Sequence, residues 1–177
     1  MGQKLLLHRQ LTSLAAAVKV CSGINGVTSW VIVAAGTGYV VGELVTLSGG
    51  TALIAATFRV AEVSAIGAVA RLDILNAGTY TANTGAAAAT TADKAGTGLT
   101  ITATYRSDVP PDGCTHAVVK ASSQAVSIRS DGTTPTATVG NLLAVLTPLV
   151  LAGQELRAAQ VIEQTASAKL DIDFYRS

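Results

Sequence analysis

The chain has 177 residues, enough for one ordinary domain or a small domain with a second one inserted into it. It is 49% hydrophobic but only 4% aromatic and 13% charged, with 17 glycines, a mixture that favours many short strands joined by tight turns. The net charge of +1, with no basic cluster, argues against binding nucleic acid through phosphates, and so weakly charged a surface points to an oligomer or a component of an assembly.

Residues 1 to 21 form a Leu/Ala/Val lead-in. His8, Arg9 and Gln10 interrupt the apolar core that a signal peptide requires, so none is expected. Leu7, Leu11, Leu14 and Val18 are spaced as a helical stripe among helix-favouring alanines. Local evidence alone leaves helix or strand open there. Residues 22 to 107 are dense in Gly, Ala and Thr and contain an approximate repeat. "AGTGY" (Ala35 to Tyr39) is echoed by "AGTY" (Ala77 to Tyr80), and "GGTALIAATFRV" by "AGTGLTITATYR". Each copy reads as a Gly-x-Tyr turn, a loop and an alternating strand. In "LTITATY", Leu99, Ile101, Ala103 and Tyr105 face one way and the threonines the other. "FRVAEV" alternates similarly, and two such copies can pair their apolar faces.

The cluster Pro110-Pro111-Asp112-Gly113 demands a turn and marks a boundary. Beyond it, "HAVVKA", "AVSIRS" and "KLDIDFYR" are strand-like, and "RSDGTTPTATVG" places Asp131-Gly132 where a tight turn is wanted. In the terminal strand Leu170, Ile172 and Phe174 share one face, while Asp171, Asp173 and Tyr175 share the other. "GQELRAAQVIEQTASAK" has room for a helical turn or two. "NLLAVLTPLVLAG" is the most apolar stretch, but it is too short to span a membrane and carries Pro148.

The "GTGYVVG" turn superficially matches a phosphate-binding loop. A P-loop needs Lys and Ser or Thr directly after its glycines, whereas Glu43 follows Gly42 and would repel phosphate. A dinucleotide fingerprint needs a following helix, and "ELVTLSGG" is β-like. The glycines are expected to turn strands. No cofactor and no metal is expected, since His8 and His116 lack ligand partners at helical or strand spacing and "SSQAVS" lacks the flanking glycines of a nucleophile elbow. Asp171 and Asp173 could do acid–base work or hold Ca²⁺, but without further oxygen ligands nearby they read as a solvated or subunit-facing strand surface. Tyr39 and Tyr80 occupy equivalent turn positions. There a tyrosine either packs on the sheet and pins the turn or, if exposed, stacks on a sugar. Cys21 and Cys114 are too few for a disulfide framework and too far apart for a metal knuckle.

From Cys114 onward the chain resembles a family of small structural proteins of tailed bacteriophages. The resemblance rests on a strand ending in Arg129, the turn residues Asp131, Gly132, Thr133, Pro135, Thr136 and Gly140, and a terminal strand closing in Phe174, Tyr175 and Arg176. In that family the segment matching Leu11 to Val20 is a strand, which argues against the helical stripe. The middle of the chain resembles the Gly-x-Gly-Tyr-x-x-Gly-Asp modules of phage virion and fibre proteins, with Glu43 in place of the Asp.

The resemblance implies an all-β protein. Its base would be a β-sandwich, jelly-roll-like, built from residues 1–21 and 108–177, with residues 22–107 as an inserted small β module. It implies a non-enzymatic virion structural protein, a decoration or cement protein on the capsid exterior that bridges major capsid protein subunits as a homo-oligomer, a trimer being the form that suits a symmetry axis. Candidate interface residues are Arg129, Arg157, Asp171 and Arg176. Assembly in a reducing host cytoplasm implies that Cys21 and Cys114, which bracket the insert, are free thiols. The alternative is a tail-fibre, baseplate or head-fibre component touching a host glycan through Tyr39 and Tyr80. The chain is too small and too poor in candidate residues for a depolymerase, and no nucleic acid or membrane is expected as partner.

Overall fold

The computed structural model describes residues 3–177. It is all-β, with 55% of residues in strands and 3% in helix. Two compact units emerge from the contacts: the chain up to Ser22 together with Asp108–Ser177, and Gly23–Ser107.

The outer unit begins with β1 (Lys4–Leu11) and β2 (Val18–Lys19). The inner unit holds β3 (Asn25–Thr37), β4 (Leu44–Leu47), β5 (Thr51–Ile54), β6 (Thr57–Val63), β7 (Val69–Asn76), β8 (Thr79–Ala82), β9 (Ala88–Ala92) and β10 (Thr97–Ser107). The outer unit resumes with β11 (His116–Ala121), β12 (Val126–Arg129), β13 (Asn141–Leu143), β14 (Pro148–Ala152), α1 (Gly153–Ala158), β15 (Gln160–Glu163) and β16 (Leu170–Arg176).

Pairing in the outer unit is that of one long hairpin rolled up. β1 pairs with β16, β2 with β15, β11 with β14 and β12 with β13, all antiparallel. Successive pairs fall in alternate sheets, which gives the orders β1-β16-β11-β14 and β13-β12-β15-β2. Eight strands in two sheets with this nesting are a jelly roll. Alternation supplies the core: Leu170, Ile172 and Phe174 of β16 are fully buried, as are Val119 and Ala121 of β11 and Val161 of β15.

The helical stripe of Leu7, Leu11, Leu14 and Val18 does not form. In β1, Leu7, Arg9 and Leu11 turn inward while His8 and Gln10 face out, a period of two. Leu14 is buried where the chain crosses to the other sheet, and Val18 opens β2. The spacing of three and four arises because a strand end, a crossover and a second strand all reach one core. Arg9, half-buried by this alternation, donates to the Ser22 carbonyl, and burial lowers its pKa. The stretch after Ala152 forms one short helix, α1, and then returns to strand as β15.

The inner unit is a single antiparallel sheet, ordered β5-β8-β3-β10-β9-β4-β6-β7, that curls into a half-barrel. Register shifts between β3 and β10 and between β6 and β7 bend its strands. The concave side is filled by Val45, Leu47, Phe58, Val60, Leu99 and Ile101 together with Tyr39 and Tyr80. Trp30 is only half-buried and meets Phe58 edge-on at 5.0 Å. The entering and leaving strands are neighbours, paired down to Asn25 opposite Ser107. The inner unit therefore starts and finishes at one place.

Both cysteines are free. Cys21 is 1% exposed and its thiol points at the Leu156 carbonyl, 3.6 Å away. Burial, followed by the neighbouring Cys114, pushes its pKa up to about 12 from 9. Below pH 9 the thiol is protonated in folded and unfolded chains alike and contributes no pH dependence. Above pH 9 only the unfolded chain releases the proton, so stability falls as pH rises toward 12, by at most about 1.4 kcal/mol per pH unit. Urea midpoints compared at pH 8 and pH 10.5 should drop for the wild type and drop less for Cys21→Ala. Equal drops would show that Cys21 does not titrate this way.

Candidate functional site

The phosphate-loop lookalike is a strand connection. The chain leaves β3 at Thr37, turns through Gly38 and Gly42 at φ of 75° and 87°, and enters β4. Only glycine adopts such angles without strain. The turn is held by Glu43, whose carboxylate is fully buried. One oxygen accepts the Val40 N–H at 2.9 Å and the other accepts the Gly96 N–H at 3.0 Å, so a single side chain ties the turn to the approach to β10. Its backbone carbonyl accepts from Val60 at 2.8 Å. A charged group in a dry site is tolerated when such donors satisfy it.

Tyr39 and Tyr80 are 2% and 0% exposed, which removes them as sugar-stacking candidates. The physical reason lies in the glycines around them. Gly36 and Gly96 lie directly against the Tyr39 ring and Gly78 against the Tyr80 ring, so closely that a Cβ on any of them would collide with the aromatic carbons. Each hydroxyl then reaches a backbone amide: Leu99 N–H donates to Tyr39 at 3.4 Å, and Ala56 N–H donates to Tyr80 at 2.8 Å. Burial raises the Tyr80 pKa. The bonds are reciprocal between the repeats. The tyrosine of the first copy holds the strand of the second, and the tyrosine of the second holds the first.

The four candidate interface residues do not gather on one face. Arg129 ends β12, in one sheet of the jelly roll, and donates to Asp131 at 2.6 Å. Arg157 is exposed in the last turn of α1. Asp171 and Arg176 belong to β16, in the other sheet. Asp171 accepts from Gln10 at 2.7 Å and lies opposite Lys120 in the ladder. Asp173 accepts from or pairs with His8 at 2.6 Å, so both acidic side chains of β16 are partnered along the outer face. Among the described residues, no three His, Cys, Asp or Glu side chains cluster as a metal site would require, and no helix is long and apolar enough to cross a membrane.

Arg129 does border a built feature. Residues 130–140 form a loop that is exposed except for the buried Pro135 and the half-buried Ser130. Asp131 caps the loop start by accepting the Thr133 N–H at 3.0 Å and the Thr133 hydroxyl at 2.6 Å. The Arg129 bond first, and these two after it, hold the Asp131 carboxyl well below the usual carboxylate range. Beside it an open, polar cavity of about 360 Å³ is lined by Arg129, Ser130, Asp131, Gly140 and Asn141. Sequence reasoning picked out the turn residues but not the cavity, which depends on β13 folding back beside β12.

Two substitutions test the buried turn. Glu43→Ala should destabilise the chain by about 1–3 kcal/mol in urea unfolding, because the buried Gly96 N–H and the part-buried Val40 N–H lose their acceptor. Glu43→Gln, which keeps one acceptor, should fall between. Gly96→Ala should cost about 1–3 kcal/mol by overpacking the rigid Tyr39 ring. Gly98→Ala, whose Cβ would have room but whose φ is 77°, should cost about 1 kcal/mol through backbone strain alone. Equal costs at the two glycines would remove the ring contact as the cause.

No family model matches the chain, and neither a curated protein nor a solved structure is significantly similar to it.

Proposed function

We propose that this is a structural protein of a bacteriophage virion, a head decoration or cement protein in which the jelly-roll unit binds the shell and the inner unit is an add-on module. The observation that carries the reading is architectural. A jelly roll, a fold common among capsid components, holds a whole second β unit between its second and third strands. Fold alone does not fix function. The phage-like turn and terminal strand, Arg129 to Gly140 and Phe174 to Arg176, supply the second support, and both lie in the jelly roll.

In this role the protein works by burying surface between neighbours. It would meet the major capsid protein and further copies of itself, with a trimer at a three-fold axis the arrangement that shares load evenly. The loop 130–140 and the cavity beside Arg129 are the features of the jelly roll best built for such a contact: the loop is exposed but for Ser130 and Pro135, and fixed in shape by Asp131, Thr133 and the buried Pro135.

The test is the copy number in purified virions, measured by quantitative mass spectrometry against the major shell protein. A ratio comparable to the shell protein is the expected result. A few copies per particle would move the protein to the tail, neck or a single-vertex fibre, and absence from the particle would end the virion reading.

A further inference from the structure

Among the described residues six strands stand at sheet edges: β1 and β14, β13 and β2, β5 and β7. An edge strand turns alternate backbone N–H and C=O groups away from its one neighbour, and it pairs with any extended chain unless something prevents it. Five of the six are blunted. β1 carries Lys4 and Arg9, and its pairing slips between Leu5 and Leu7. β7 carries Arg71 and Asp73, and its pairing slips three times. β5 slips twice along four residues, and β2 and β13 are only two and three residues long. β14 has neither charge nor slip. Its five residues pair with β11 one for one, from Pro148 opposite Lys120 to Ala152 opposite His116. Its one protective residue, Pro148, stands first, and the four residues after it keep their N–H groups. The approach to this edge is strained as well. Leu146 is 66% exposed with a φ of 62°, a left-handed conformation that a bulky side chain avoids and that collects where a surface is used.

We infer that β14 is completed by the β14 strand of a second copy, antiparallel across a two-fold axis, so that the sheet β1-β16-β11-β14 continues into its twin. What an open edge lacks is a backbone partner, so its occupant is an extended strand. β14 itself fits. Centred on Val150, the pairing uses all five residues, with Val150 opposite the partner's Val150, Leu149 opposite the partner's Leu151 and Pro148 opposite the partner's Ala152. Any other register uses fewer. Alternation is kept: the inward residues Leu149 and Leu151 of each copy lie beside those of the other, and the exposed valines meet on the outer side. Both copies lose their open edge in one step, whereas a strand from another protein would cover one edge alone. The contact uses neither loop 130–140 nor the cavity beside Arg129, so it is independent of the virion reading.

Sedimentation equilibrium of the full chain from about 1 μM to 1 mM tests it. The mass should rise from monomer toward dimer. Val150→Lys gives β14 the kind of charge that β1 and β7 carry and sets two lysines against each other, so it should weaken association by about tenfold or more. Val150 is 57% exposed, and the urea midpoint should stay unchanged. Leu53→Lys, at a residue 50% exposed on the bulged β5 edge, should leave the mass as in the wild type. Residues opposite each other in an antiparallel pair lie about 4.5–5.5 Å apart, within disulfide reach. Val150→Cys should therefore cross-link into a covalent dimer under oxidised glutathione, and Leu53→Cys should not. A Val150→Lys chain that associates like the wild type, a Val150→Cys chain that stays uncrosslinked, or an equal loss of mass on Leu53→Lys would each overturn the inference. So would a wild type that stays monomeric throughout, which would leave β14 to a strand from another protein.

Discussion

The pairing of β1 with β16 is the constraint on which the outer unit rests. It runs from Lys4 opposite Arg176 to Leu11 opposite Leu170, with one irregularity between Leu5 and Leu7, and joins segments far apart in the chain. Once it forms, the nesting of β2 with β15 and β11 with β14 follows, because each inner pair is brought within reach by the pair outside it. The inward side chains of that outermost pair, Leu11 on one strand and Leu170, Ile172 and Phe174 on the other, then help to make the core that holds both sheets.

The inner unit solves its stability problem differently. It has few aromatic rings, so each must be used fully. Tyr39 and Tyr80 bring a ring into close contact with glycine and a hydroxyl to a backbone amide of the opposite repeat. Glu43 adds a third tie of the same kind. Small residues are what permit these approaches, and they also leave β3, β9 and most of β10 without charge. The Gly/Ala/Thr composition thus shapes both the interior and the exterior of this unit.

Much of this was legible in the sequence. Alternation at Leu99–Tyr105 and Leu170–Tyr175 gives strands with their inward faces correctly assigned, because each has one wet and one dry side. The equivalence of Tyr39 and Tyr80 was visible from the repeat, but their burial depended on where Gly96 and Gly78 would be placed. Glu43 was visible only as an obstacle to phosphate. One of its partners, Val40, is local, whereas Gly96 lies 53 residues away and left no trace in the spacing. β13 and β14 were missed. In β14, exposed Val150 and buried Leu151 sit side by side within an apolar run, and the polar contrast that reveals a strand is absent.

The meeting of Asn25 with Ser107 has a consequence for the order of events during synthesis. Every strand of the inner sheet leaves the ribosome before β11 does, so this sheet can complete itself while the jelly roll still lacks most of its strands. Its completion draws Ser22 and Asp108 to within the reach of a short connection, and the long excursion between β2 and β11 then costs the later unit little more loop entropy than a tight turn. The remaining delay belongs to β1, which must wait with an unpaired edge until β16 emerges. During that interval the nascent chain depends on its own charges, Lys4 and Arg9, to discourage the wrong strand from taking that edge.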